Sequence, residues 1–86
     1  MPVLSKFCGV VVGMWFVPLL GAHFHAIYGE YEVMVSIPSL AVIQGELPEP
    51  VRRMVLDWAC RHQSDLMLAW HRCAERHCPE SIPPVG

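Results

Sequence analysis

Two strand-like runs, 23–28 and 31–37, are separated by only Gly29 and Glu30, and no other feature limits the fold so tightly. A two-residue connection reverses the chain. It cannot carry a parallel crossover, which needs a dozen residues or more, so the two runs are antiparallel neighbours. The second run alternates cleanly. Tyr31, Val33, Val35 and Ile37 share one face, while Glu32, Met34 and Ser36 share the other. In the first run Phe24, Ala26 and Tyr28 lie on one face and His23, His25 and Ile27 on the other. Upstream, residues 9–17 read as a strand with two apolar faces. Val10, Val12, Met14 and Phe16 form one, and Val11, Trp15 and Val17 form the other, as in a strand covered on both sides. Pro18 and Gly21 end that strand, and residues 40–44, after Pro38-Ser39, read as a short fourth one.

The spacing then switches from two to about 3.6. Pro48 and Pro50 sit where a helix begins, because proline lacks the N–H that the first turn leaves unpaired. Glu49 suits the positive end of the helix dipole. Val51, Val55, Trp58, Ala59, His62, Leu66, Ala69, Trp70 and Cys73 form one continuous stripe. Arg53, Asp57, Arg61 and Asp65 fall four apart and read as a solvated charge ladder. The expected fold is therefore α+β. A small antiparallel sheet of three to four strands is followed by one long C-terminal helix, continuous or broken near Gln63-Ser64, packed on one face. Residues 1–78 make the domain, and residues 79–86, with Pro79, Pro83 and Pro84, make an extended tail.

Composition matters at this point. Of the 86 residues 53% are hydrophobic and 16% charged, a great deal of apolar surface for a domain this small. Four strands at about 4.8 Å spacing are wider than one helix of roughly 10 Å diameter. One helix covers one face, so the opposite face, with Val11, Trp15 and Val17, is expected to be an interface with a second copy or a small partner. A net charge of −2 disfavours nucleic acid as the main ligand. The apolar run 7–20 has the outline of a signal peptide but is short for a membrane span of about 20 residues. Its Val and aromatic content, with Gly13 and Pro18 inside it, fits a buried strand ended by a turn, and no membrane association is expected. Cys8, Cys60, Cys73 and Cys78 lack the regular spacing of a disulfide scaffold and read as reduced thiols of a cytoplasmic protein.

The chemistry-bearing residues are few. His23 and His25 project to the same face of a strand and are candidate acid–base or metal-binding groups, with Tyr28 or Glu32 as helpers. Two ligands fall short of a zinc site, and edge or interface histidines satisfied by backbone acceptors carry more weight. Cys73 and His77, four apart, are a second candidate pair beside His71 and Cys78, without recognised zinc-finger spacing. The arginines at 52, 53, 61, 72 and 76 are interleaved with Asp57, Asp65 and Glu75, so a solvated face is preferred to a basic groove. There is no phosphate loop, nucleophile elbow or paired-carboxylate signature. No cofactor and no resident metal are expected.

Several short motifs occur in a fixed order: Ser5-Lys6-Phe7, His23-Phe24-His25-Ala26, Tyr28-Gly29-Glu30-Tyr31-Glu32, Gly45-Glu46-Leu47-Pro48, and Val55-Leu56-Asp57-Trp58-Ala59 followed by His62, Leu66 and Trp70. Together they resemble, over nearly the whole chain, a bacterial family known only as domain of unknown function 4160. The resemblance implies a small cytoplasmic domain encoded beside another small protein, in an arrangement like that of toxin–antitoxin pairs. Members usually carry an Asp-His pair where Pro18-Leu19 stands here and two prolines where Gly21-Ala22 stands. The upstream histidine of a three-histidine cluster is thus missing. Glu49-Pro50 replaces the basic residues that often follow Gly-x-Leu-Pro. The expected function is a protein–protein interaction or regulatory module, acting as a homodimer or with a small operon-encoded partner. The alternatives are a small histidine-dependent hydrolase or ribonuclease-like toxin, and a metal-binding domain.

Overall fold

The structure, a computed structural model, describes residues 1–85. Five strands run β1 (Val3–Phe7), β2 (Val10–Gly13), β3 (His23–Tyr28), β4 (Tyr31–Ser36) and β5 (Val42–Gly45). Two helices follow, α1 (Glu49–Arg61) and α2 (Gln63–Ala74). The strands form one antiparallel sheet in chain order, β1-β2-β3-β4-β5. The α+β class and the antiparallel pairing are as expected, but there are five strands rather than three to four, and two helices rather than one.

The extra strand is β1, hidden by the turn that follows it. Cys8 and Gly9 both take positive φ, 50° and 80°, as the two central positions of a type I′ hairpin require. Cys-Gly is not the usual sequence for that turn. The predicted strand 9–17 is shorter than expected because its partner runs out: Val3 pairs with Gly13, and one further bond, from Met14 N–H to Pro2 O, closes the ladder. Trp15, Phe16 and Val17 therefore leave the sheet, and a single 3₁₀ turn at Pro18–Leu20 leads to β3. The Gly29-Glu30 hairpin is as predicted, with Gly29 at φ 58° and Tyr28 opposite Tyr31. At the far edge, residues 40–44 give β5 two residues later than expected at its start.

The predicted stripe buries Val55, Trp58 and Ala59 of α1 and Leu66, Ala69 and Trp70 of α2. They pack against Phe7, Val10, Val12, Phe24, Ala26, Val33 and Val35 of the sheet. The Trp58 indole lies 5.1 Å from the Phe7 ring and 6.3 Å from Phe24. The helices divide at His62, whose φ of −116° and ψ of 23° leave helical geometry. Gln63 secures the junction by donating to Ile37 O (2.6 Å) and Pro38 O (3.1 Å) in the β4–β5 turn. Arg53, Asp57, Arg61 and Asp65 are all exposed, as a solvated ladder requires, and the ion pairs they join are with other residues one turn away, Arg53–Glu49 at 2.7 Å and His62–Asp65 at 3.4 Å. Residues 79–85 form no helix or strand, but they are anchored. Ile82 N–H donates to Leu4 O (2.7 Å), covering the edge of β1, and Trp58 Nε1–H donates to Pro83 O (2.9 Å). Among the described residues, no helix is long and apolar enough to cross a membrane.

Candidate functional site

Strand parity places His23 and His25 on the sheet face opposite Phe24, Ala26 and the α1 contacts. Both rings are nevertheless buried, His23 at 0% and His25 at 5% exposure. Aromatic groups from outside the sheet bury them. Trp15, in the connection after β2, sits edge-on to His25 at 4.9 Å. Trp70 of α2 lies 5.3 Å from His23, and Phe16 packs 4.8 Å from Trp70. The two imidazoles contact each other edge-on at 5.2 Å.

Each imidazole is held by one hydrogen bond. His23 Nδ1 is 2.8 Å from Gly21 O, and His25 Nδ1 is 3.3 Å from Glu32 Oε2. A carbonyl and a carboxylate only accept, so both rings donate from Nδ1–H, which makes Nε2 the acceptor atom of the neutral imidazole. Both Nε2 atoms are buried and have no partner among the described residues. Such orphaned polar atoms are uncommon in folded proteins. Burial lowers the pKa of His25 from 6.5. The Glu32 hydrogen bond and charge oppose that shift, and the neighbouring His23 adds to it.

Of the helper residues considered from sequence, Glu32 joins the histidines and Tyr28 does not. Tyr28 is an odd number of positions from both histidines and so falls on the helix-covered face, where its ring packs beside Gly9. Cys73 and His77 do not share a helix face, because α2 stops at Ala74. Arg76 takes φ 62°, and His77 N–H turns back to Arg72 O at 2.8 Å. Cys73, His77 and Cys78 instead border a shallow groove with Trp15 and Phe16. Burial, then the neighbouring Cys78, raises the Cys73 pKa. Among the described residues, no group of three or more His, Cys, Asp or Glu is arranged to hold a metal ion.

The three predicted interface residues separate. Val11 stays in β2, half-buried on the histidine face. Trp15 and Val17 lie in the β2–β3 connection, where five large apolar residues within six positions are exposed: Trp15, Phe16, Val17, Leu19 and Leu20. Leu19, at 97%, touches almost nothing. The rest of the histidine face is mixed. Val11, Ile27 and Met34 are half-buried beside exposed Lys6, Glu32 and Gln44. It is less uniformly apolar than the sequence suggests, because Trp15 folds over His25 and β1 adds Lys6 beside Val11.

The family model described as "Domain of unknown function (DUF4160)" matches residues 9–71, well over half of the chain. The chain belongs to the DUF4160 family. The matched span of this DUF4160 domain takes in both histidines, the apolar connection and most of α2. It leaves out β1 and the C-terminal segment, which bond to each other. No curated protein and no solved structure matches the chain significantly.

Proposed function

We propose that this DUF4160 domain is a protein–protein interaction module of a bacterial regulatory pair of toxin–antitoxin type. It acts in the cytoplasm as a homodimer or with the small protein encoded beside it. The observation that carries this reading is the exposed run Trp15–Leu20. Large apolar side chains lose roughly 1.5–3 kcal/mol each when left in water rather than buried. Trp15 and Phe16 each pack one side on His25 and Trp70 and leave the other in solvent, Leu19 stands almost wholly in water, and contiguous exposed apolar surface marks interaction sites. The half-buried Val11, Ile27 and Met34 extend that surface onto the sheet, toward the roughly 800 Å² per partner of a stable interface. Lys6, Glu32 and Gln44 supply the polar rim. Gly21, at φ 74° and with no atom within 4 Å of where a side chain would begin, ends the run in open space.

The test is light scattering on untagged protein, alone and co-expressed with its genomic neighbour, for the wild type and Leu19→Asp. A dimer or heteromeric complex that Leu19→Asp dissociates supports the reading. A complex indifferent to Leu19→Asp, or a monomer with no partner in either preparation, refutes it. Because Leu19 is almost fully exposed, the substitution leaves the fold intact.

A further inference from the structure

Exposed apolar surface does not account for the arrangement of the two buried imidazoles. Gly21 precedes His23 in the chain, and Glu32, paired with Ile27, lies beyond His25. Their acceptors draw the two Nδ1 edges apart along the strand. The two rings meet edge-on, with their centroids 5.2 Å apart. Both Nε2 atoms are buried without a partner among the described residues, and Trp15 and Trp70 pack against the pair. Metal-binding histidines are held this way, with Nδ1–H fixed by a carbonyl or carboxylate and Nε2 free.

From this geometry we propose that His23 and His25 form a binding site for monovalent copper. The choice of ion follows from the neighbours. A closed zinc site takes four ligands and a catalytic one at least three protein groups, and among the described residues no third His, Cys, Asp or Glu completes a metal-holding group with this pair, Glu32 being engaged with Nδ1 of His25. Copper(I), a soft d¹⁰ ion, is content with two imidazole nitrogens and accepts a thioether. Met34 is the direct cross-strand neighbour of His25 on the same face, which puts the two Cβ atoms about 5 Å apart. The Trp15 ring packs edge-on against His25 at 4.9 Å and helps to bury it. The Glu32 carboxylate balances the single positive charge through its bond to His25. Trp15 is 47% exposed and belongs to the connection rather than the sheet, so it is the group that moves to admit the ion.

The experiment uses untagged full-length protein with all four cysteines changed to serine, since thiolates compete for copper; Cys8, Cys60 and Cys78 are exposed, and Cys73 is partly so. It is titrated anaerobically with Cu(I) held by bicinchoninate, with the histidine ¹⁵N resonances followed by NMR. The expected result is one equivalent of copper taken from the chelator. The Nε2 signals of His23 and His25 shift, and those of His62, His71 and His77 stay. Glu32→Gln, at an exposed position, weakens uptake by about 10–100-fold through loss of the outer carboxylate. Met34→Leu, which conserves volume, weakens it as well. Copper left on the chelator, copper bound without moving the two Nε2 signals, or those signals responding to Zn(II) but not to Cu(I), would overturn the assignment.

Discussion

Removing residues 79–86 tests whether the C-terminal segment belongs to the fold. Ile82 is buried to 5% exposure, and burying an aliphatic side chain of that size stabilises by about 2 kcal/mol. Two hydrogen bonds, Ile82 N–H to Leu4 O and Trp58 Nε1–H to Pro83 O, add about 1 kcal/mol each. Freeing the segment returns conformational entropy, but less than usual, because prolines at 79, 83 and 84 already restrict it. A net loss of about 2 kcal/mol remains, equivalent to a fall in Tm of roughly 8–16 °C for a domain of this size. Trp58→Phe in the full chain removes the same indole bond. In a urea-denaturation cycle, truncation and Trp58→Phe should therefore fall short of additivity by about 1 kcal/mol. A truncated protein as stable as the full chain, or strictly additive effects, would refute the anchored segment.

Other substitutions probe the turns and the buried histidine. Gly45 takes φ 83°, and a Cβ there would run into the Glu32 carbonyl, whereas Gly29 at φ 58° has open space. Gly45→Ala should thus lower the urea midpoint by well over the roughly 1–2 kcal/mol of left-handed strain that Gly29→Ala incurs, and equal effects would contradict the register of β5. Gln63→Ala removes both bonds to the β4–β5 turn and should cost about 1–2 kcal/mol in thermal or chemical denaturation. His25 has a folded pKa below its ordinary 6.5, so below that pH the unfolded chain binds more protons than the folded one. Stability should be level above pH 6.5, fall as pH drops through the window down to the folded pKa, and level off again for this group. His25→Gln should flatten that part of the profile.

Much of this architecture is written in short-range pattern. The bounds of β3 and the face of every residue in β4 follow from period-two alternation on either side of Gly29-Glu30, and the helix stripe follows from Val55 to Trp70. What escaped has local physical reasons. Ser5 and Lys6 interrupt the apolar run of β1, and a Cys-Gly turn conceals its hairpin. Trp15 to Val17 have strand-forming side chains, but Val3 pairs with Gly13 and no β1 residue remains to pair beyond it. The helix break, open as an alternative near Gln63-Ser64, falls at His62 without Gly or Pro; it is set by tertiary bonds from Gln63 to a turn far earlier in the chain. The histidine site was legible as a pair on one face. Its burial was not, because Trp15 and Trp70 arrive from distant segments, and the Nδ1 acceptors depend on the β3–β4 register and on the geometry of Gly21.

Whether the Trp15–Leu20 run is an interface can be read from backbone hydrogen exchange across residues 15–20. The comparison is between dilute protein and the associated state, whether that is the dimer or the complex with the neighbouring gene product. Fast exchange is expected when dilute, and protection in the associated state, centred on Leu19 and Leu20 and spreading to β2. An associated state in which 15–20 exchanges as fast as in the free protein, while protection appears elsewhere, would contradict the interface assigned to this run.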